Sequence, residues 1–150
     1  MVLTNQALAS DALTPLIVHE ISRQPVSLIG APSLVGSMRT VRDLLAAHPV
    51  ILPMLDSSVR IGFNALADRL GIQPQIAAEV DDMAMMRLLV REGFALAILP
   101  PIAVRDELAS GILVEAETLP GIDETFFAIT AERRFPNPIA RALIQGTPAW

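Results

Sequence analysis

Cysteine is absent from the 150-residue chain, which excludes disulfides and thiolate metal sites. Histidine occurs twice, as His19 and His48, and the two show no ligand spacing. Basic side chains are scarce: 11 Lys and Arg stand against 16 Asp and Glu, for a net charge of −5. Arg133–Arg134 is the only adjacent basic pair. A surface that grips phosphates needs clustered cations, so this chain is not expected to bind nucleic acid directly. No apolar run approaches the roughly 18 residues a membrane span requires. The N-terminus, MVLTNQALASDALTPL, carries no Lys or Arg ahead of its apolar residues and does not read as a signal peptide. A cytoplasmic protein is expected.

Recognised reaction motifs are missing as well. There is no G-x-S-x-G, no Walker A loop, no G-x-G-x-x-G and no H-E-x-x-H. An enzyme reading therefore has no positive support. What the chain does have is apolar residues, 52% of the total, with only 18% charged. That balance excludes intrinsic disorder. The mean hydropathy of +0.49 fits either a core rich in Ala, Leu and Ile or a piece of a larger core whose covered surfaces stay apolar.

Apolar runs alternate with helical patterns, which predicts an α/β fold. Met1–Thr4 reads as the end of a strand and Asn5–Gln24 as irregular. Val26–Ala31 and Val50–Pro53 read as short strands, with a helix from Ser37 to about Ala47 between them. Asp56, Ser57 and Ser58 precede a helix from about Val59 to Leu70, closed by Gly71. Gln75–Val80 is a strand, and Asp81–Asp82 opens a helix to about Arg91 that Gly93 stops. Ala95–Leu99 is expected to be a strand buried on both faces. Pro100–Pro101 starts a helix over Ile102–Ala109. Ile112–Glu115 and Thr125–Ala131 are read as two further strands, and Ile139–Ile144 as a last helix. The alternation predicts a mainly parallel sheet with right-handed crossovers. Ligands in such sheets bind beyond the carboxyl ends of the strands. That rule singles out Asp56–Ser58, Val80–Asp82 and Leu99–Pro101.

Each candidate has a structural alternative. Ser57 and Ser58 at a helix start suit an anion, or one of them simply caps the helix. Asp81 and Asp82 suit a helix first turn as caps, or, with Glu79 or Asp56, they present oxygens to a hard cation. The spacing matches no metal motif. Met83, Met85 and Met86 read as core filling. Phe126–Phe127 alternates across a strand, which sends one ring inward.

The segment Leu89–Val114, LVREGFALAILPPIAVRDELASGILV, resembles a helix–Gly–strand–Pro–helix–Gly–strand passage of LysR-type transcription regulators. Gly93, Ala97, Leu99, Pro100, Leu108, Gly111 and Leu113–Val114 match the family run "V-x-x-G-x-G-I-A-x-L-P … L-x-x-G-x-L-V". Ala95 departs from its second glycine. MVLTNQAL, VSLIGAP and ILPMLDSSVR resemble further family strands. EVDDMAMMRLLVREG and TFFAITAERRFPNPIARAL look closest to the NhaR branch, regulators of sodium/proton antiporters.

The resemblance implies a periplasmic-binding-protein-like (type II) fold of two α/β lobes around a cleft, with lobe I incomplete. Lobe II would span residues 25–120. Residues 1–24 would belong to lobe I and the hinge, and 121–150 would return to lobe I with a strand and helix. The DNA-binding region would precede Met1. The effector-facing positions it implies are Asp56, Ser57, Ser58, Val80, Asp81, Asp82 and Pro100, with Thr4 and Ala31–Pro32 near the hinge. No cofactor is implied; the effector would be a small molecule or an ion such as Na+. The chain would self-associate as a dimer or tetramer. Two alternatives remain open: a solute-binding protein of the same fold, and a truncated fragment.

Overall fold

The computed structural model describes residues 1–5, 16–37, 40–131 and Ile144. The expected helix Ile139–Ile144 lies outside them except for Ile144, which is helical, and so does Arg133–Arg134. The chain divides into two compact units, Met1–Gln24 with Glu124–Trp150, and Pro25–Asp123.

In the second unit a mixed sheet has the order β6-β2-β5-β3-β4. These strands are β2 (Leu16–Gly30), β3 (Val50–Pro53), β4 (Ile76–Val80), β5 (Leu96–Leu99) and β6 (Val114–Ala131). β3 lies parallel to β4 and to β5, in registers Pro53↔Val80 and Ile51↔Ala97. β5 meets β2 antiparallel, with Ser27 opposite Leu99. Three strands are thus parallel as expected, and β2, on which the chain enters this unit, runs against them.

Strand alternation splits the core between the two faces. On one face Leu28, Val50, Leu52, Leu96 and Ile98 pack with Val41, Leu44, Val59, Phe63 and Leu66. On the other, Ile29, Ile51, Ala97 and Leu99 pack with Met86, Val90, Val104 and Leu113. Because both faces are covered, β3 and β5 have no polar side to show, which is why they read as unbroken apolar runs.

Among the described residues the helices of this unit are α1 (Pro32–Val35), α2 (Val41–Ala47), α3 (Ser58–Leu70), α4 (Met83–Arg91) and α5 (Arg105–Ser110). α3 turns Val59, Phe63, Leu66 and Ala67 inward; full burial of each large apolar side chain contributes about 1.5–3 kcal/mol. It stops at Gly71, whose φ of +65° is open to glycine and strained for other residues. Two helix expectations need correcting. The helix expected from Ser37 is α2, which starts only at Val41 and is capped by Thr40, whose side chain accepts from the Asp43 amide at 3.1 Å, while the short α1 before Ser37 was not expected. The helix expected over Ile102–Ala109 is a 3-10 turn, Pro101–Val104, followed by α5.

In the first unit, β1 (Val2–Thr4) pairs antiparallel with β6, Thr4 opposite Phe127. Residues Leu16–Gln24, expected to be irregular, are strand, as the first part of β2. The two strands expected at Ile112–Glu115 and Thr125–Ala131 are one, since β6 runs unbroken through Pro120 and Gly121. Gly121 takes φ +73°, a local kink that lets the strand continue. Phe126 and Phe127 are both half-buried.

Candidate ligand-binding edge

Parallel pairing places the carboxyl ends of β3, β4 and β5 side by side. The segments that follow them therefore share one edge of the second unit: Asp56–Ser58 after β3, Asp81–Asp82 after β4 and Pro100 after β5. Val80, half-buried, is the last residue of β4. Thr4 belongs to the other unit, where it ends β1. Ala31–Pro32 follows β2 and starts α1 at the opposite edge, since β2 runs antiparallel to β5.

The two helix starts at this edge differ. At α4, Asp82 is the cap: its Oδ1 accepts from the Ala84 amide at 3.0 Å. At α3, Ser57 occupies the cap position but its side chain makes no capping bond. The backbone carbonyl of Ser57 accepts from Ile61 N at 3.0 Å, and its amide donates to Met54 O at 3.1 Å. The amides of Ser58, Val59 and Arg60 have no acceptor within the helix, as helix geometry dictates for a first turn. Capping thus explains Asp82 and does not explain Ser57 or Ser58. Asp56 and Asp81 are exposed. Pro100 is buried, and its carbonyl accepts from Ala103 N at 2.9 Å.

Sequence reasoning passed over Arg60. Its side chain is 5% exposed and contacts Glu79 Oε1 at 2.7 Å. The same guanidinium donates to Pro53 O at 2.9 Å and to Asn64 Oδ1 at 3.1 Å. The available signal was spacing: positions 60, 63 and 67 share a helical face, so an arginine there sits in line with Phe63 and Ala67 and needs a polar partner. Glu79, weighed above as a cation ligand, is that partner. With Glu79 paired and Asp82 capping α4, two of the four acids considered for a cation are already engaged. Among the described residues, no group of three or more His, Asp or Glu is placed to hold a metal ion.

Two buried carboxylates also went unnoticed. Glu107 of α5 accepts from Arg87 Nε of α4 at 2.8 Å, with Arg91 Nη1 at 3.7 Å from the same oxygen. The Arg87 hydrogen bond holds the Glu107 carboxyl below its ordinary range against the opposing effect of burial. In the first unit, burial pushes the Glu124 carboxyl up, partly offset by a hydrogen bond with Asn5.

The model of the LysR substrate-binding domain matches residues 7–146, so the chain belongs to that family. No curated protein matches it. Solved structures do. The effector-binding domain of AmpR from Citrobacter freundii is similar, with TM-score 0.68, 16% identity, and coverage of 88% of this chain and 66% of that one. The CcmR regulatory domain from Synechocystis, in complex with 2-PG, gives TM-score 0.66 at 13% identity, covering 97% and 70%. Full-length LysG from Corynebacterium glutamicum, with bound effector Arg, gives 0.65 at 17%, covering 97% and 50%. These likenesses establish the fold, the periplasmic-binding-protein-like type II α/β arrangement of the family. The chain spans 63% of the first matched structure and 66% of the second. Among the described residues, no helix is long and apolar enough to cross a membrane.

Proposed function

We propose that this chain is the effector-sensing part of a LysR-type transcription regulator and converts no substrate. The observation that carries this reading is the α3 start. Ser57 sits at a helix cap without capping, beside first-turn amides that lack helical acceptors. That arrangement suits the carboxylate or hydroxyl of a small organic solute. The exposed Asp81, one strand away, is set to receive a donor from the same solute. Effectors bound by the neighbours, 2-PG and Arg among them, are solutes of that size. On this account Asp56, Ser57, Ser58 and Asp81 face the effector, Val80 and Pro100 shape the edge, and Asp82 serves α4. Na+, the effector suggested by the NhaR likeness, gains no support from an edge whose Glu79 and Asp82 are taken. Residues 25–120 act as one regulatory lobe, while 1–24 and 121–150 serve the other and carry Thr4.

Binding shifts the populations of two conformations of the sensor, and that shift reorients partner subunits. Self-association as a dimer or tetramer fits α4, which leaves Met85 and Leu88 46% and 53% exposed at helical spacing. The acidic chain leaves DNA contact to another part of the regulator.

A thermal-shift screen of organic acids, amino acids and phosphorylated solutes tests the reading. A binder present at one hundred times its Kd stabilises by about 2.7 kcal/mol, or ~5–11 °C for a chain of this size. Ser57→Ala and Asp81→Ala should abolish that shift. Full retention in both variants would end the proposal, as would turnover of the binder.

A further inference from the structure

We propose that Arg60 is a positioning residue: one buried guanidinium holds the turn after β3 and the turn after β4 in a single geometry, so that neither can move alone. The inference rests on the ligand-facing role just given to those turns. Two of its three contacts reach different turns of the edge, and the third braces the side chain. Nη1 holds the carbonyl of Pro53, the last residue of β3 and the point where the Asp56–Ser58 turn departs. Nη2 holds Glu79, one residue before Val80 and two before Asp81. Nε holds Asn64 one helical turn on, which fixes the side chain against its own helix. Leu52 pairs with Glu79 and Pro53 with Val80, so the guanidinium spans the two strands where their ladder ends.

Stability alone does not explain a charge at this position. Glu79 is 37% exposed, so its pairing with the buried Arg60 is partly screened and adds little net stability, and Phe63 and Ala67 on the same helical face are already core. A leucine at position 60 would pack there. What it could not do is bind a strand-end carbonyl and a carboxylate on the next strand at once. That requires the planar fork of an arginine, and a lysine ammonium does not replace it. The fork therefore makes the positions of the Ser57–Ser58 and Val80–Asp81 groups interdependent, and a solute that engages one turn reports to the other.

The test needs no effector. Arg60→Ala leaves a guanidinium-shaped space. In backbone NMR of this variant, the amide signals of Ser57, Ser58, Val80 and Asp81 should all move. Hydrogen exchange of the bonded Ser57 and Ile61 amides and of the β3–β4 ladder at Glu79–Val80 should speed up roughly tenfold or more, while the central Leu96–Leu99 amides stay protected. Guanidinium at low millimolar concentration, far below denaturing levels, should return both sets of signals together; methylammonium at the same concentration should not. Glu79→Gln is the second variant should Arg60→Ala not fold. It alters β4, yet should shift Ser57 and Ser58 on the far side of the fork. Movement of one turn without the other, equal loosening of Leu96–Leu99, or equal rescue by methylammonium would each overturn the proposal. Failure here leaves effector binding standing, whereas a screen without binders would remove the effector reading and leave the coupling intact.

Discussion

Asp82 and Ser57 occupy equivalent helix starts and are predicted to respond oppositely to the same substitution. Asp82→Ala removes the acceptor for the Ala84 amide, and loss of such a cap costs about 0.5–2 kcal/mol. The first turn of α4 contains no other acidic residue, so the favourable contact of a carboxylate with the helix dipole is lost too. That adds about 0.3–1 kcal/mol at low salt. Because Asp82 is exposed, screening trims the second contribution, and a total of about 1–2 kcal/mol is expected. For a chain of this size that lowers Tm by ~2–8 °C. Asp82→Asn keeps the acceptor and loses only the charge, so its cost should be the smaller, salt-sensitive part. Ser57→Ala loses no capping bond and should stay within about 0.5 kcal/mol of the parent. Urea unfolding followed by far-UV circular dichroism, at low and high salt, measures all three. The effector response should show the reverse order, lost in Ser57→Ala and kept in Asp82→Ala below its Tm. Equal destabilisation by Ser57→Ala and Asp82→Ala would refute the assignment of cap to one and ligand to the other.

Three further expectations concern packing and charge. A Cβ on Gly30 would lie 2.5 Å from Leu96 Cδ2, so Gly30→Ala should cost about 1–3 kcal/mol in unfolding measurements; in a Leu96→Ala background the same substitution should cost less, and an equal cost would point to another cause. Glu107 titrates below its ordinary value of 4.5 in the folded chain, so its contribution is present above that pH and lost as pH falls through the lower folded value; the Tm gap between the parent and Arg87→Met should close over that acid range, and a pH-independent gap would contradict the Arg87–Glu107 contact. Glu124 behaves with the opposite sign. Burial raises its folded value above 4.5, the native state holds the extra proton, and stability falls as pH rises through that window. Glu124→Gln should therefore raise Tm at neutral pH and flatten the slope, and an unchanged or lower Tm would show that the carboxylate is not strained there.

Much of the second unit was legible because burial on both faces leaves a simple trace. Val50–Pro53 and Ala95–Leu99 could only be buried strands, and Val59, Phe63 and Leu66 mark one helical face. The long strands were not legible for the converse reason. In Leu16–Gln24 of β2 no residue is fully buried, so no alternation is written into the sequence, and Pro25 within the strand reads as a break. Pro120–Gly121 likewise imitates a turn inside β6. Thr40 and Asp43 do carry a local capping pattern, the Thr40 hydroxyl meeting both the amide and the carboxylate of Asp43, and Ser37 offers a competing cap three residues earlier. At the candidate edge, the turns themselves followed from strand order. Which of their hydroxyls and carboxylates are already engaged did not, because Glu79 meets its partner across two elements and that contact has no spacing rule.

The central claim is that a small solute binds where β3, β4 and β5 give way to helices. Hydrogen exchange read by mass spectrometry, with and without a binder found by the thermal-shift screen, tests it directly. Protection concentrated in peptides covering 54–61 and 79–84, and absent in Ser57→Ala, is the predicted result. Protection confined to the outer face of α4 around Met85 and Leu88, with the 54–61 peptide unchanged, would contradict it.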